Sequence, residues 1–392
     1  MTEKLCYENP IALSCEATVL SCEEKKGLFE VTLDRTVIFP EGGGQPADRG
    51  AIGASRILDA HEREGIVYHT CSAPVPVGSR VNVTLDLERR LDHSARHTGE
   101  HMLSGLAYKL FGAHNVGFHM AEDYCTIDLD VYLDDEALSR LELEANKAVR
   151  RDLPVTEEHT DHEGLAKITI RKKSEIVSDD IRVVYVGGGE IDSCTCCGTH
   201  CASTGEVGYI RIADAQKYKG GVRIWFSCGE LAVREAMELT RSMTAIARSF
   251  STSRAELPQA IRKNQEELGQ AKRLLKERTK ALCELIAAGN TDEVAVLLRP
   301  DLSQQDVKIL CESLVSANAR VALVFGGADP GSCYCAMRAE GEKMPMNELI
   351  KAVNGLVNGK GGGSPAFAQG RSENPVSEDI AAIIRDYIGK AR

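Results

Sequence analysis

The sequence predicts an α+β chain laid out in four stretches, and three observations carry that prediction. Residues 1–90 alternate apolar and polar side chains in short runs broken by turn residues, as in Ala17-Thr-Val-Leu20 and Val81-Asn-Val-Thr-Leu-Asp86, the pattern of short strands. Residues 91–245 mix that period of two with helical periodicity, as expected of an α/β core. Residues 255–288 then form a long run with no internal glycine except Gly269, in which Ile261, Leu268, Leu275 and Leu282 recur every seven positions. That spacing suits a coiled coil or a helical hairpin.

The elements follow in order. Leu91 to Phe111 is amphipathic, with Leu103, Leu106, Ala107 and Leu110 at helical spacing and Ser94 as the candidate cap. A strand is predicted around Cys125-Thr-Ile-Asp-Leu-Asp130, and a helix over Asp135 to Arg151, which must end before Pro154. Ile181–Val186 and Val207–Ile212 read as strands, leaving the cysteine-rich stretch between them as a loop. Residues 290–392 make up a C-terminal α/β domain, with a buried strand at Val321-Ala-Leu-Val-Phe325 and a helix at Met346 to Asn354.

Composition fits an intracellular enzyme. The 392 residues allow two or three domains, and 43% hydrophobic content suffices for sizeable cores. No apolar run approaches the ~18 residues of a membrane span, and the N-terminal MTEKLCYENP lacks a signal-peptide pattern, so the cytoplasm is the expected location and no membrane partner is expected. The 14 cysteines then read as reduced thiols and metal ligands. A net charge of −11 requires any polyanion to be met by local basic clusters. Candidates are residues 262–280, where seven Lys or Arg face three Glu, then Lys217, Lys219 and Arg223, and Arg89, Arg90 and Arg96.

Two distant stretches carry the chemistry. His97-Thr-Gly-Glu-His101 lies in the first helix, and histidines four apart project from one helical face. Cys196-Cys-Gly-Thr-His200 adds a third imidazole and a thiolate. Three imidazoles and one thiolate are a tetrahedral donor set for Zn²⁺, structural or catalytic, with Cys196 and Cys197 both eligible. The first stretch also reads as HxxEH, the inverted zinc-peptidase pattern with Glu100 as base, but the Cys and third His would crowd a peptidase metal. A base-deaminase signature needs HxE followed by PCxxC, which the chain lacks. The glycine cluster Gly359-Lys-Gly-Gly-Gly-Ser364 fails the P-loop spacing and is left as a tight turn or a phosphate contact.

HTGEH, CCGTH and Thr204-Gly-Glu-Val-Gly-Tyr-Ile-Arg211 together resemble the editing domain of alanyl-tRNA synthetases and of the free-standing AlaX editing proteins. Asp34-Arg-Thr-Val-Ile-Phe-Pro-Glu-Gly-Gly-Gly-Gln-Pro-Ala-Asp-Arg-Gly50 is similar to the glycine-rich signature of that family's N-terminal barrel. Gly361-Gly-Gly-Ser-Pro-Ala-Phe-Ala-Gln-Gly370 resembles the C-terminal domain shared with the synthetase and with DHH phosphoesterases. The resemblance implies a small β-barrel over 1–90, an editing core over 91–245 and one Zn²⁺ held by His97, His101, Cys196 and His200, the thiolate chosen by the family spacing CxxxH.

It also implies hydrolysis of the ester joining a wrong amino acid to tRNA(Ala). Ser-tRNA(Ala) is the expected substrate and Gly-tRNA(Ala) the second, because a synthetase site rejects neither amino acid well. Gln45, Gly117, Phe118 and His119 are the expected substrate contacts, and Glu100 is the candidate base. Pairing of two copies through 255–288 or the C-terminal domain is the expected assembly. Two alternatives stand beside this: a tRNA-binding protein whose zinc is structural, and the HxxEH peptidase. No nucleotide-binding signature is present, so ATP-dependent activation of alanine is not expected.

Overall fold

The computed structural model describes residues 1–171 and 180–390, which divide into two compact units, Met1–Ala245 and Ile246–Arg392. The first unit opens with six antiparallel strands: β1 (Ser14–Lys25), β2 (Leu28–Leu33), β3 (Gly50–Ile52), β4 (Ser55–Arg63), β5 (Ile66–Cys71) and β6 (Arg80–Leu85). They close into a barrel in the order β1-β2-β5-β4-β3-β6, with β6 returning to β1. Closure removes every free edge, and inward-facing Val19, Val31, Leu33, Ile52, Ile57, Val67 and Val83 fill the interior.

Helix α1 (Leu87–Phe111) starts earlier than the periodicity suggested. Its cap is Asp86, whose carboxylate accepts from the Arg89 N–H, and it ends at Gly112 in the left-handed conformation. Ser94 is thus an interior residue, buried, with its hydroxyl turned to Thr199. Every residue from His93 to Ala107 is buried, so α1 is the central rod of the unit. Gly99 allows this: a Cβ there would lie 2.4 Å from Cys228 Sγ.

Around α1 lie β7 (Asn115–Met120), β8 (Cys125–Leu129), helix α2 (Asp135–Arg151, capped by Asp134), β9 (Val155–Thr160), the short helix α3 (His162–Lys167), β10 (Ile181–Val186), β11 (Asp192–Thr195), β12 (Ile210–Tyr218) and β13 (Gly221–Cys228). They form a four-stranded sheet, β12-β13-β8-β7, and a three-stranded sheet, β9-β10-β11, both antiparallel. One face of the larger sheet packs Ile127, Leu129, Val222, Ile224 and Phe226 against α1 and α2. The barrel is tied to α1 by Arg90, only 1% exposed, which forms an ion pair with buried Asp48 and donates to Val37 O at 2.7 Å. Arg96 is likewise buried, donating to the carbonyls of Ala121 and Glu122 at 2.9 and 2.8 Å, and Arg89 reaches Ala47 O at 3.4 Å. The expected basic cluster at Arg89, Arg90 and Arg96 is therefore internal wiring rather than free positive surface.

Helix α4 (Gly229–Ser249) carries the chain into the second unit. There α5 (Leu257–Ala288) is one uninterrupted helix, not a hairpin, and Leu268, Leu274, Leu275, Leu282 and Leu285 of its apolar stripe are exposed. It is followed by β14 (Val294–Arg299), α6 (Gln304–Ser316), β15 (Val321–Gly327), β16 (Ser332–Arg338), α7 (Met346–Val357), β17 (Gly359–Gly363), β18 (Phe367–Ser372) and α8 (Glu378–Lys390). The sheet runs β14-β15-β16-β18-β17, parallel only between β14 and β15. Helices cover both of its faces, with Val307, Leu310 and Leu314 of α6 on one and Ile350, Val353 and Ile384 of α7 and α8 on the other. The glycine cluster is neither a turn nor a phosphate loop in this fold: Gly359–Gly363 is the edge strand β17, paired with β18. All fourteen cysteines are free thiols, and no described helix is long and apolar enough to cross a membrane.

Candidate metal centre

Helix α1 and the segment after β11 bring four donors together. One ligand atom from each of His97, His101, Cys196 and His200 lies within 4.8 Å of the others. His97 Nε2 and His200 Nε2 stand 3.3 and 3.4 Å from Cys196 Sγ. Donors at tetrahedral Zn²⁺ bond lengths are roughly 3.3–3.8 Å apart, so the residues present fit that ion. Cys197 lies outside the group and is exposed, its Sγ turned toward Gly42 and Gly43 of the glycine-rich loop.

Each imidazole is held by its other nitrogen. His97 Nδ1 is 2.8 Å from Gln45 Oε1, so its Nδ1–H donates and Nε2 is left to face the thiol. Gln45 is fully buried and fixed in turn: its Oε1 accepts from Thr199 N–H at 3.1 Å, and its Nε2 donates to Thr199 Oγ1 at 2.9 Å. His200 Nδ1 meets Thr98 Oγ1 at 3.2 Å, and the same hydroxyl accepts from Cys201 N–H. His101 Nδ1 lies 3.1 Å from the buried carboxylate of Asp192, which Arg171 grips with two bonds of 2.6 and 3.0 Å. A partner on the distal nitrogen fixes the tautomer and ring orientation of a metal-ligating histidine. The sequence reading named the four residues that the fold gathers and missed Thr98, Asp192 and Arg171, whose contacts with them run across the chain.

The loop 196–200 is clamped from outside. Arg182 donates to the carbonyls of Cys196 and Gly198 at 3.1 and 2.8 Å, and Tyr7 donates its hydroxyl to Cys197 O at 2.8 Å. Gly198 cannot carry a side chain here, since a Cβ would sit 2.1 Å from His97 Cε1. Its N–H donates to Cys196 Sγ at 3.3 Å.

The electrostatics favour a thiolate at Cys196, a neutral ring at His200 and a protonated ring at His101. Burial would raise the Cys196 thiol, but the imidazoles of His97, His200 and His101 outweigh it and hold the thiol well below its ordinary range. Burial pushes His200 down to about 3. Burial also works against charge on His101, yet the sulfurs of Cys194 and Cys196 and the Asp192 carboxylate raise it well above the usual imidazole value. Asp192 itself is held far below the carboxylate range, its burial overcome by Arg171 and His101.

The remaining predicted residues divide by face. Glu100 is buried; its Oε1 accepts from Ser104 Oγ and Asn115 Nδ2, both at 2.6 Å, and its Oε2 lies 3.7 Å from His101 Nε2. Asn115 Oδ1 then accepts from Gly117 N–H at 2.8 Å, so Glu100 anchors the start of β7. Phe118 sets its ring 5.3 Å from that of His97, tilted at 45° to it, and packs beside the glycine-rich loop at Gly44. Gly117 and His119, one residue to either side, fall on the opposite face of the strand and do not join the cluster. A cavity of about 450 Å³ reaches His200 and is walled by Tyr7, Asn9, Ser94, Arg182 and Glu206 among others.

Comparison with known proteins gives three kinds of likeness. Residues 181–224 match the model of the threonyl and alanyl tRNA synthetase second additional domain, and 291–390 match the DHHA1 domain. The chain is 30% identical to the alanyl-tRNA editing protein AlaX-L of Pyrococcus horikoshii, over 97% of this chain and 98% of that one. It is also 29% identical to the alanine-tRNA ligase of Methanopyrus kandleri and 30% identical to that of Methanothrix thermoacetophila, over 99% and 95% of this chain. It spans less than half of each ligase, 45% and 43%.

Proposed function

This chain belongs to the alanyl-tRNA editing protein family, and from that premise we propose that it hydrolyses the ester joining a wrong amino acid to tRNA(Ala). Ser-tRNA(Ala) is its first substrate and Gly-tRNA(Ala) its second, and it works in the cytoplasm on tRNA released by the synthetase. The observation that carries the reading is the set of four donors, His97, His101, Cys196 and His200, gathered within 4.8 Å. These residues would hold one Zn²⁺ per chain, and the ion would supply Lewis-acid polarisation of the ester or orientation of the substrate's amino group.

The chain's own residues do the rest. Gln45, Thr98 and Asp192 keep the imidazoles aimed, and the Phe118 ring forms an apolar wall beside His97. Glu100 is assigned as the base through Oε2, since Oε1 is already engaged by Ser104 and Asn115. The cavity at His200 is large enough for an aminoacyl group, and Ser94, Thr98 and Thr199 put hydroxyls beside the donors. A pocket that hydrogen-bonds serine's hydroxyl discriminates strongly, because alanine leaves those polar groups unpaired. In the second unit, the outward Lys272, Arg273 and Lys276 of α5 are exposed and offered to tRNA, and the exposed leucine stripe of the same helix supports pairing of two copies.

The test is release of serine from Ser-tRNA(Ala) under multiple turnover, with Ala-tRNA(Ala) as control. Metal-dependent release that spares the alanyl ester, and that His97→Ala abolishes, is expected. A protein that retains zinc and binds tRNA but releases nothing would be a binding protein with a structural ion, and the proposal would be wrong.

A further inference from the structure

Three hydroxyls stand beside the donor cluster, those of Ser94, Thr98 and Thr199, and the bonds around them fix where the protons go. The order starts from a backbone group: the N–H of Thr199 donates to Gln45 Oε1 at 3.1 Å. That sets the Gln45 amide, so His97 Nδ1, 2.8 Å from the same oxygen, carries a proton. The other end of the amide, Nε2, donates to Thr199 Oγ1 at 2.9 Å. Thr199 Oγ1 and Ser94 Oγ then lie 2.9 Å apart, and neither hydroxyl has another acceptor among the described residues.

Two hydroxyl protons therefore meet in one bond, and one of them is left over. On Thr199, which is buried and does not line the cavity at His200, the spare proton would be shut in without a partner, a costly arrangement. Ser94 does line that cavity. Thr199 therefore donates to Ser94, and the Ser94 hydroxyl donates into the open space. Thr98 is wholly buried between His200 Nδ1 and the Cys201 N–H and stays outside the cavity.

The buried walls of the cavity are Arg90, Ser94, Val184, His200 and Cys201. Arg90 is turned to Asp48 and to the carbonyls of Pro10 and Val37, and His200 to Cys196 and Thr98. Val184 has no polar side chain, and the Cys201 thiol is a weak donor. Ser94 is thus the one buried hydroxyl that opens on the cavity, one helical turn before His97 on α1.

We infer that Ser94 is a specificity residue, donating its hydroxyl proton to the side-chain oxygen of a seryl group whose ester lies at the donor cluster. It rests on the reading of that cluster as the site where aminoacyl-tRNA is hydrolysed. A seryl ester carries a polar side-chain group that glycyl and alanyl esters lack, and the Gln45–Thr199 order holds the Ser94 proton in a single direction to meet it. Alanine places a methyl group against this proton and leaves it unpaired. Glycine leaves space in which a water molecule can accept it, so the glycyl ester is rejected less strongly.

The probes are three adenosines that carry serine, glycine or alanine through a 3′-amide, which mimics the ester and is not cleaved. Calorimetric titration of the zinc-loaded full protein should show the seryl analogue binding about tenfold more tightly than the alanyl one. Ser94→Ala should remove that preference, weakening the seryl analogue about tenfold and the glycyl analogue by less than about twofold, with zinc content unchanged. Ser94→Gly removes the same hydroxyl and decides the matter if Ser94→Ala loses zinc. A parent that does not prefer the seryl analogue, a preference that survives loss of the hydroxyl, or an equal loss for seryl and glycyl analogues overturns the assignment, even where Ser-tRNA(Ala) is hydrolysed. Binding of none of the three overturns it as well. A seryl preference that depends on Ser94, in a protein that releases no serine from Ser-tRNA(Ala), sustains the assignment and removes the hydrolase reading instead.

Discussion

Gly198→Ala is the smallest change that should dismantle the metal centre. The glycine is not there for backbone freedom, since its φ is outside the left-handed region. It is there because the His97 ring lies where a side chain would begin: an added Cβ would stand 2.1 Å from Cε1, 2.2 Å from Nδ1 and 2.9 Å from Gln45 Oε1. The closest of these is about 1.3 Å short of the 3.4 Å at which ordinary contact begins. The ring has nowhere to retreat, being 2% exposed and tied to Gln45 at 2.8 Å. A metal–ligand bond tolerates only about 0.2 Å of error, so a displacement of this size removes His97 from the donor set. Zinc affinity should fall at least 100-fold, about 3 kcal/mol, with hydrolysis falling as metal is lost. Competition against a chromophoric chelator reads the affinity, and thermal melting with and without chelator separates metal loss from unfolding. Gly269→Ala is the control: its Cβ would meet nothing within 4 Å, so metal binding should not change and α5 should gain up to about 1 kcal/mol. Zinc affinity of Gly198→Ala within twofold of the parent would refute the steric argument.

Two further outcomes follow from the same geometry. Asp192→Asn keeps the shape of the residue but removes the charge that holds His101 and leaves Arg171 unpaired; chelator competition should show zinc bound 10- to 100-fold more weakly, and unchanged affinity would mean that Asp192 does not position the ligand. His69 sits fully buried in the barrel wall, its Nδ1–H donating to Val31 O and its Nε2 accepting from Thr36 Oγ1, and burial pushes its pKa down from 6.5 to about 4. The folded value lies below the unfolded one, so stability present above pH 6.5 is lost as pH falls toward 4, by roughly 3 kcal/mol. Urea unfolding of the parent and of His69→Gln at pH 7, 5 and 4 checks the sign: the advantage of the parent should shrink on acidification, and a constant difference would show that His69 is not the titrating group.

How much of this could be read from the sequence depends on the span of each interaction. The helix of His97 and His101, the helix Asp135–Arg151 and the strand Val321–Phe325 were readable because periodicity and caps are local properties. The start of α1 was misplaced because Ser94 looks like a cap in isolation; it is buried, and its hydroxyl is turned to Thr199, 105 residues away. Gly359–Gly363 reads as a turn because glycine disfavours strands, and only pairing with Phe367–Ser372 makes it one. Arg89, Arg90 and Arg96 count as positive charges in a sequence, whereas burial against Asp48 and backbone carbonyls takes them off the surface.

The glycine-rich signature shows the same limit from the other side. Its Asp48 takes the buried Arg90 of α1, so the loop that precedes it is pressed against the helix that carries His97. Breaking such a pair by removing one partner typically costs about 3–5 kcal/mol, since the survivor is left charged in the interior. The ion pair therefore fixes the approach of Gln45 to His97, and Gln45 passes that constraint to Thr199, 154 residues away, within the loop that carries Cys196 and His200. The barrel is thus a structural arm of the candidate metal centre, and its signature residues reach the donor cluster through the orientation of one imidazole. A sequence displays Asp48, Gln45, Arg90 and Thr199 as four unrelated polar residues. Only their shared burial makes them one device.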